Sequence, residues 1–411
     1  MNPGLAQCRP EWLLPPPQLR IDVKSADFDH RYSAFCADLE RDSRRRALPG
    51  QASLSGAIAD FSHNDYLGLA RDPDAIAALC ASACANGVGA TGSRLLSGDW
   101  PEHAALEAAI AAAKGTEAAL VFPSGYQANA TALAALLDRK TLGAEPLLFA
   151  DRLNHASLHH ACQLAGVHQL RFRHNDLGHL RELLDKHAGD ARPKFIVAET
   201  IFGMDGDALD MPALAALADA HGAFLWLDEA HATGVAGATG QGLASGWIGG
   251  RGAAMGTFSK AIGAQGAYVA CSRAVRDYLL NRCTGFIYST ALTPSMAAAV
   301  LAVWNKLPAL DATRAALMVR AEAFRTRLRA GGLDVGTSTT HIVPVIVGAD
   351  ARALELKAWL AARGLIVSAV RPPTVPPNTA RVRIALAASH TEAQIDALAG
   401  AILDWHCAGG G

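Results

Sequence analysis

The sequence predicts an α/β fold: a mostly parallel, doubly wound sheet sandwiched by helices, with a smaller α+β C-terminal domain. Three observations carry this. Short apolar runs recur at 118–122, 147–150, 195–198, 223–227 and 267–271, the length of buried strands. Helical segments separate them, among them 178–187 and 212–220, and strands alternating with helices imply parallel pairing through crossovers. After Pro294 the rhythm changes to a long helical stretch, roughly 295–330, then β-like segments at 341–347 and 381–387 with helices near 351–363 and 391–404. The expected division is 1–60 for an extension and helix, 61–294 for the large domain and 295–411 for the small one.

Taken in order, residues 1 to about 27 read as a peripheral extension, interrupted by Glu11 and Pro15-Pro16-Pro17, without the apolar core of a signal peptide. A helix is expected from Phe28 to Arg46, then a strand end and turn over Phe61–Leu69 and a helix from Asp74 to Asn86. Gly87-Val88-Gly89-Ala90-Thr91-Gly92 matches a dinucleotide fingerprint, but an Ala-rich helix precedes it where a strand is required. It reads instead as a loop in which backbone approaches a ligand. A helix follows over 102–114. The strand at 118–122 runs into Pro123-Ser124-Gly125-Tyr126, and a strand, a Ser-Gly turn and a helix start make an anion site of free N–H groups and helix dipole.

Composition excludes several classes. The 411 residues are 51% hydrophobic with a formal net charge of −1, ample for a large core and without the basic footprint of a nucleic-acid binder. Asp228-Glu229-Ala230-His231 spells a helicase box, yet the chain has no Gly-Lys dipeptide and so no phosphate-cradling P-loop. His155 and His159 are four apart, but no H-E-x-x-H accompanies them and no metal is expected. No apolar run approaches a membrane span, and eight cysteines without a C-x-x-C pair suit buried thiols in a reducing cytoplasm.

Two stretches carry the chemistry. The run 223–227 ends abruptly in Asp228, which places a carboxylate at the C-terminal edge of the sheet, where open α/β sheets bind ligands. Gly256–Gly263, G-T-F-S-K-A-I-G, presents Lys260 among small and hydroxyl residues. A lysine that forms a Schiff base and a buried Asp that pairs a pyridinium nitrogen are a protein's minimum contribution to pyridoxal phosphate chemistry.

With these motifs the chain resembles the α-oxoamine synthases, fold type I pyridoxal-phosphate enzymes, over about residues 35–405. The resemblance rests on Asn64–Leu69, Gly92-Ser93-Arg94, Asp151–Ser157, Met204-Asp205-Gly206-Asp207, Asp228–Gly234 and Thr257-Phe258-Ser259-Lys260. Arg371–Pro376 resembles the biotin branch in particular. The resemblance implies that Lys260 bonds pyridoxal 5'-phosphate, Asp228 pairs the ring nitrogen, His155 stacks on the ring and His231 bonds its phenolic oxygen. It assigns the phosphate to Gly125, Tyr126 and Thr257, with Ser289 and Thr290 approaching from the partner subunit of a homodimer. Arg383 would take the amino-acid carboxylate, with Asn64 nearby; Arg381 shares its strand face, and one of the two is expected to be structural. Arg44 and Thr374 match acyl-substrate positions. The implied substrates are L-alanine and pimeloyl-CoA or pimeloyl-acyl carrier protein. The alternatives are a sister enzyme using glycine and another acyl-CoA, and a catalytically silent homologue acting as a regulatory subunit. Two residues depart from the pattern: Gly203 and His63 stand where serine is common.

Overall fold

The computed structural model describes residues 25–48 and 58–410. The chain divides into two units, 1–49 and 50–411. In the first, one helix spans Ser25–Arg41. It stops short of the expected Arg46 because Ser43 turns into the left-handed region, at φ 57°. Phe28, Tyr32 and Phe35 lie exposed along it, at helical spacing. Residues 1–24 and the stretch 49–57 lie outside the described residues, and with them most of the expected extension.

The second unit is built on a seven-stranded sheet. Its strands are β2 (Ala118–Phe122), β3 (Leu147–Asp151), β4 (Gln169–Phe172), β5 (Lys194–Glu199), β6 (Ala223–Asp228), β7 (Gly252–Thr257) and β8 (Ala267–Cys271). They lie in the order β2-β8-β7-β6-β5-β3-β4. Only β8 runs antiparallel to its neighbours. A short β1 (Ala59–Asp60) pairs in parallel with β10 (Leu365–Ile366). A three-stranded antiparallel sheet holds β9 (Ile342–Gly348), β11 (Ser368–Val370) and β12 (Ala380–Ala385), with β12 in the middle.

The strands are near-continuous apolar runs because both faces of the large sheet are covered. Side chains alternate between two separate cores. Leu225 and Leu227 of β6 face one, with Ile196 and Ala198 of β5 and Phe149 of β3. Trp226 faces the other, with Phe195, Val197 and Leu148. Burying each such large side chain contributes about 1.5–3 kcal/mol.

Two elements differ from the sequence reading. The stretch at 295–330 is two helices, Pro294–Lys306 and Asp311–Ala330, divided by a 3₁₀ turn at Leu307–Leu310 that carries Pro308. Proline removes a helical donor and clashes with the preceding turn, so a continuous helix breaks there. The strands β4 and β7 were absent from the apolar-run pattern. Arg171 interrupts β4, an edge strand. The sequence of β7 is G-A-A-M-G-T, whose small residues have little strand propensity, yet all six are buried. Its Gly256 lies where a β-carbon would strike the Tyr268 ring.

A buried ion pair joins the helix Pro101–Lys114 to the end of β6. Lys114 donates to Glu229 and to the Gln241 carbonyl, and both charged side chains are fully buried. Burial works against the Lys114 charge, but the Glu229 carboxylate outweighs it and holds its pKa above the usual lysine value. The other Glu229 oxygen accepts the Ala244 amide at 2.7 Å. Removing one partner leaves a buried charge uncompensated, so Lys114→Ala is expected to cost about 3–5 kcal/mol of stability in denaturant titration. A loss under 1 kcal/mol would refute this account of the pair.

Candidate active site

The C-terminal ends of the parallel strands converge. Glu199 ends β5 and Asp228 ends β6, and their register pairs them directly. The loop after β6 carries His231, and the loop after β7 carries Lys260. This is the sheet edge at which α/β folds bind ligands.

Asp228 is 3% exposed. Its Oδ1 accepts the Ala230 amide at 2.8 Å, and its Oδ2 accepts Asn129 Nδ2 at 2.7 Å. Asn129 is itself fixed: its other bonds go to Ser157 Oγ, at 3.0 Å, and from Trp226 Nε1, at 3.1 Å. It opens a π-turn, Asn129–Leu133, within the helical run 125–136, the kind of irregularity that re-aims a side chain at a functional site. Donors to both oxygens satisfy the buried Asp228 carboxylate.

Lys260 is half-buried, with its Nζ 2.8 Å from His231 Nε2. Desolvation lowers its pKa to about 8, against the pull of Asp228 and Glu199, with Arg383 adding to the lowering. His231 is buried, and its Nδ1 meets Tyr66 Oη at 2.7 Å. Burial, then the charges of Lys260 and Arg383, hold its pKa well below the ordinary histidine value, so the ring is neutral. A neutral ring accepts on one nitrogen and donates from the other. With Lys260 protonated, Nε2 accepts its N–H and Nδ1 donates to Tyr66.

Glu199 Oε1 accepts the His155 amide at 2.6 Å. Burial, then the neighbouring Asp228 charge, raise its pKa to about 8. The His155 side chain is exposed, tethered through Nδ1 to Ser157 Oγ at 2.8 Å. The Tyr126 ring meets it edge-on at 6.2 Å, and the Tyr126 hydroxyl bonds His160. Gly125 and Thr257 are neighbours: a β-carbon at 125 would stand 3.5 Å from Thr257 Oγ1. Ser124 caps the helix that starts there.

The three-stranded sheet supplies two arginines from β12. Both are nearly buried, but their partners differ. Arg381 NH1 pairs with Asp205 at 2.5 Å. Arg383 bonds the Gly203 carbonyl at 2.5 Å, Asn64 Oδ1 at 3.2 Å and Tyr66 Oη at 3.2 Å. All are neutral acceptors, and Arg383 forms no ion pair among the described residues.

Lys260, Asp228, His231, Asn64 and Arg383 are thus linked through bonds and electrostatics, with His155, Gly125 and Thr257 alongside. Ser289 is half-buried and Thr290 exposed, on the segment after Thr284–Ile287. Thr374 is exposed, in a turn closed by its amide on the Arg371 carbonyl. Arg44 belongs to the N-terminal unit, 3.9 Å from Asp42. Three residues of the network were given no role from sequence: Asn129, Glu199 and Tyr66. Glu199 carried a usable signal, since it ends an apolar run in a carboxylate just as Asp228 does. Among the described residues no cluster of His, Cys, Asp and Glu could hold a metal ion, and no helix is long and apolar enough to cross a membrane.

Residues 57–402 match the family model for class I and II aminotransferases. A Bordetella bronchiseptica relative is 53% identical over 377 residues, covering 89% of this chain and 94% of its own. The 8-amino-7-oxononanoate synthase of Gluconacetobacter diazotrophicus is 49% identical, covering 92% and 97%. Two solved structures are similar. SPT with its PLP internal aldimine has a TM-score of 0.78 at 31% identity, over 85% of this chain and 87% of that one. The Francisella tularensis 8-amino-7-oxononanoate synthase has a TM-score of 0.74 at 26% identity, over 86% and 99%. The chain belongs to the class I and II aminotransferase family, among the 8-amino-7-oxononanoate synthases, enzymes of fold type I.

The desolvated lysine sets a pH dependence. In the cofactor-free protein, labelling of Lys260 by an amine-selective reagent is expected to reach half its maximal rate near pH 8. An ordinary solvated lysine does so near pH 10.4, roughly its unperturbed value. Below pH 8 the ammonium form dominates and the rate falls. Peptide mass spectrometry gives the profile, and a midpoint above about 10, the ordinary lysine range, would contradict the burial argument.

Proposed function

We propose that the chain catalyses the pyridoxal-phosphate-dependent, decarboxylative condensation of L-alanine with a pimeloyl thioester, on CoA or acyl carrier protein. The products are 8-amino-7-oxononanoate, CO2 and the free thiol carrier, in the biotin pathway of the cytoplasm. The observation that carries this reading is Arg383: a nearly buried guanidinium that bonds only neutral acceptors, beside a lysine with lowered pKa. A buried cation with unspent charge favours an anion, and the planar fork of arginine suits a carboxylate bidentately.

The donor set fits pyridoxal phosphate. Asp228 is a buried carboxylate held by two donors, a group that would pair a pyridinium N–H. It acts on Lys260 electrostatically without forming an ion pair with it. His155 offers an exposed ring, and Gly125 and Thr257, beside a helix start, offer the phosphate a place free of side-chain bulk. When bound, the cofactor supplies an electron sink for the substrate's α-carbon. Tyr126, with Ser289 and Thr290 across a homodimer interface, would complete the phosphate contacts, and Thr374 would meet the acyl chain.

The chain's own residues then divide the work. Arg383, oriented by Gly203, Asn64 and Tyr66, holds the alanine carboxylate and fixes which α-bond faces the reactive centre. Lys260 is deprotonated readily because desolvation lowers its pKa, and its Nζ takes the α-proton. His231 receives a hydrogen bond from the lysine and passes it on through Tyr66. Asp228, fixed by Asn129 and the Ala230 amide, would pair the cofactor's ring nitrogen.

A product assay with purified protein, alanine, glycine or serine, and a set of acyl thioesters tests the reading. Alanine with a pimeloyl thioester is expected to give the highest kcat/KM. A preference for glycine or serine with another acyl group would replace it with a sister activity, and absence of turnover with every pair would favour a silent homologue. Lys260→Ala is expected to abolish turnover. Arg383→Lys is expected to raise KM for the amino acid about 10- to 100-fold, the worth of one or two charge-assisted bonds, and to leave KM for the thioester unchanged.

A further inference from the structure

His174 takes no part in the bonds around Lys260, yet its half-buried ring is engaged on three sides. Nδ1 donates to the Asp151 carboxylate, at 3.0 and 3.2 Å from its two oxygens. Nε2 meets the Asp207 carboxylate at 3.3 Å. The Phe202 ring packs against the imidazole edge to face, with centroids 4.4 Å apart. Asp151 ends β3, whereas Phe202 and Asp207 are the two ends of one turn, closed by the Phe202 amide on the Asp207 carbonyl at 3.0 Å. A single imidazole thus holds both ends of that turn to the seven-stranded sheet. Burial opposes charge on the ring, but the two carboxylates outweigh it and hold its pKa at about 10, so both nitrogens donate.

The turn between those ends carries the groups that orient two guanidiniums. The Gly203 carbonyl accepts Arg383 Nε at 2.5 Å, and Asp205 pairs with Arg381 at 2.5 Å. With Nε fixed, the two terminal nitrogens of Arg383 reach Asn64 Oδ1 and Tyr66 Oη. Asn175 supports the same joint: its amide bonds Asp151 at 2.7 Å and its Nδ2 bonds Asp207 at 2.7 Å. Asn175 is neutral, however, and Asp151 and Asp207 are both buried. The imidazolium turns two like charges that would repel into two partners of one cation.

We propose that His174 is a positioning residue for substrate recognition: by clamping both ends of the 202–207 turn to the end of β3, it fixes the Gly203 carbonyl and with it the direction of the Arg383 guanidinium. This rests on the reading of Arg383 as the holder of the amino-acid carboxylate. Without the imidazolium, Asp151 and Asp207 face each other as buried like charges, and the turn gives way. The fork of Arg383 then loses the alignment that a bidentate carboxylate requires. Lys260 reports the same shift, because the Arg383 charge adds to the lowering of its pKa. Lys260 is faced by Asp228, Glu199, Arg383 and His231, so an effect of His174 reaches it only through another residue.

A double-mutant cycle of His174→Gln and Arg383→Ala, on cofactor-free protein, tests the link. The quantity read is the pH midpoint of Lys260 labelling by an amine-selective reagent. His174→Gln is expected to raise that midpoint by about half a pH unit, as the Arg383 charge draws away, and to add nothing once Arg383 is gone. In the holoenzyme, His174→Gln is expected to raise KM for the amino acid about 10-fold, the worth of one charge-assisted bond, and to leave KM for the thioester unchanged. If His174→Gln is too unstable to purify, Asp207→Asn opens the same clamp from its other side and is expected to give both results. A loss of stability alone, with the labelling midpoint and both KM values at those of the parent, would overturn the proposal. So would a midpoint shift of equal size with and without Arg383. Arg383→Lys, assayed alongside, keeps the two readings apart. If it leaves the amino-acid KM in place, the carboxylate reading fails, while the labelling cycle still decides whether His174 positions Arg383.

Discussion

Two carboxylates abreast at the end of adjacent parallel strands set the electrostatics of this site. The β5–β6 register brings Glu199 beside Asp228, both buried. In a low-dielectric surround two such groups resist sharing two negative charges. Hydrogen bonds decide which keeps it. Asp228 takes a side-chain amide and a backbone amide, whereas Glu199 is driven up to about 8 by burial and by its neighbour's charge. A doubly hydrogen-bonded aspartate, a glutamate raised to about 8 and a lysine lowered to about 8 are the outcome. A single strand-register slip would send Asp228 to the opposite face and dismantle all three.

The loop 202–207 transmits this arrangement to the second sheet. Phe202 and Gly206 close it through backbone bonds, the Phe202 amide to the Asp207 carbonyl at 3.0 Å and the Gly206 amide to the Phe202 carbonyl at 2.8 Å. Gly206 is at φ 72°, and a β-carbon there would strike the Ile342 carbonyl, so only glycine lets the loop lie against β9. His174 clamps the far end between Asp151 and Asp207. Burial opposes its charge, but the two carboxylates outweigh it and hold its pKa at about 10, so the clamp is an imidazolium at neutral pH. Asp205 fixes Arg381 and the Gly203 carbonyl orients Arg383. The short Gly-Met-Asp-Gly-Asp turn, 203–207, thus sets both guanidiniums at once.

Much of this was legible in the sequence, for physical reasons. A fully buried strand must be an apolar run, and one that stops in a carboxylate announces a strand end at the ligand edge; Asp228 was found that way, and Glu199 could have been. Lys260, His231, Asn64 and Arg383 came from motifs, and the fold brings them into one network across hundreds of residues. What stayed hidden depended on tertiary context. Strand β7 lacks the bulky residues that mark a strand, because its neighbours fill the space its side chains leave. Asn129 matters only because a π-turn aims it at Asp228.

Charge placement also separates two tasks that such an enzyme has to perform. Asp228, Lys260 and His231 rise from the seven-stranded sheet, a rigid platform buried on both faces. Arg383 comes from the middle strand of the three-stranded sheet. Tyr66 joins the two sets, since its hydroxyl touches both His231 and Arg383. The Arg383 charge also reaches the lysine and adds to the lowering of its pKa, so the two sets are separate in the fold but coupled electrostatically. Solved structures named for different products share this fold at comparable TM-scores, as that separation allows. Tyr66 stands at the junction of the two sets, in contact with both halves.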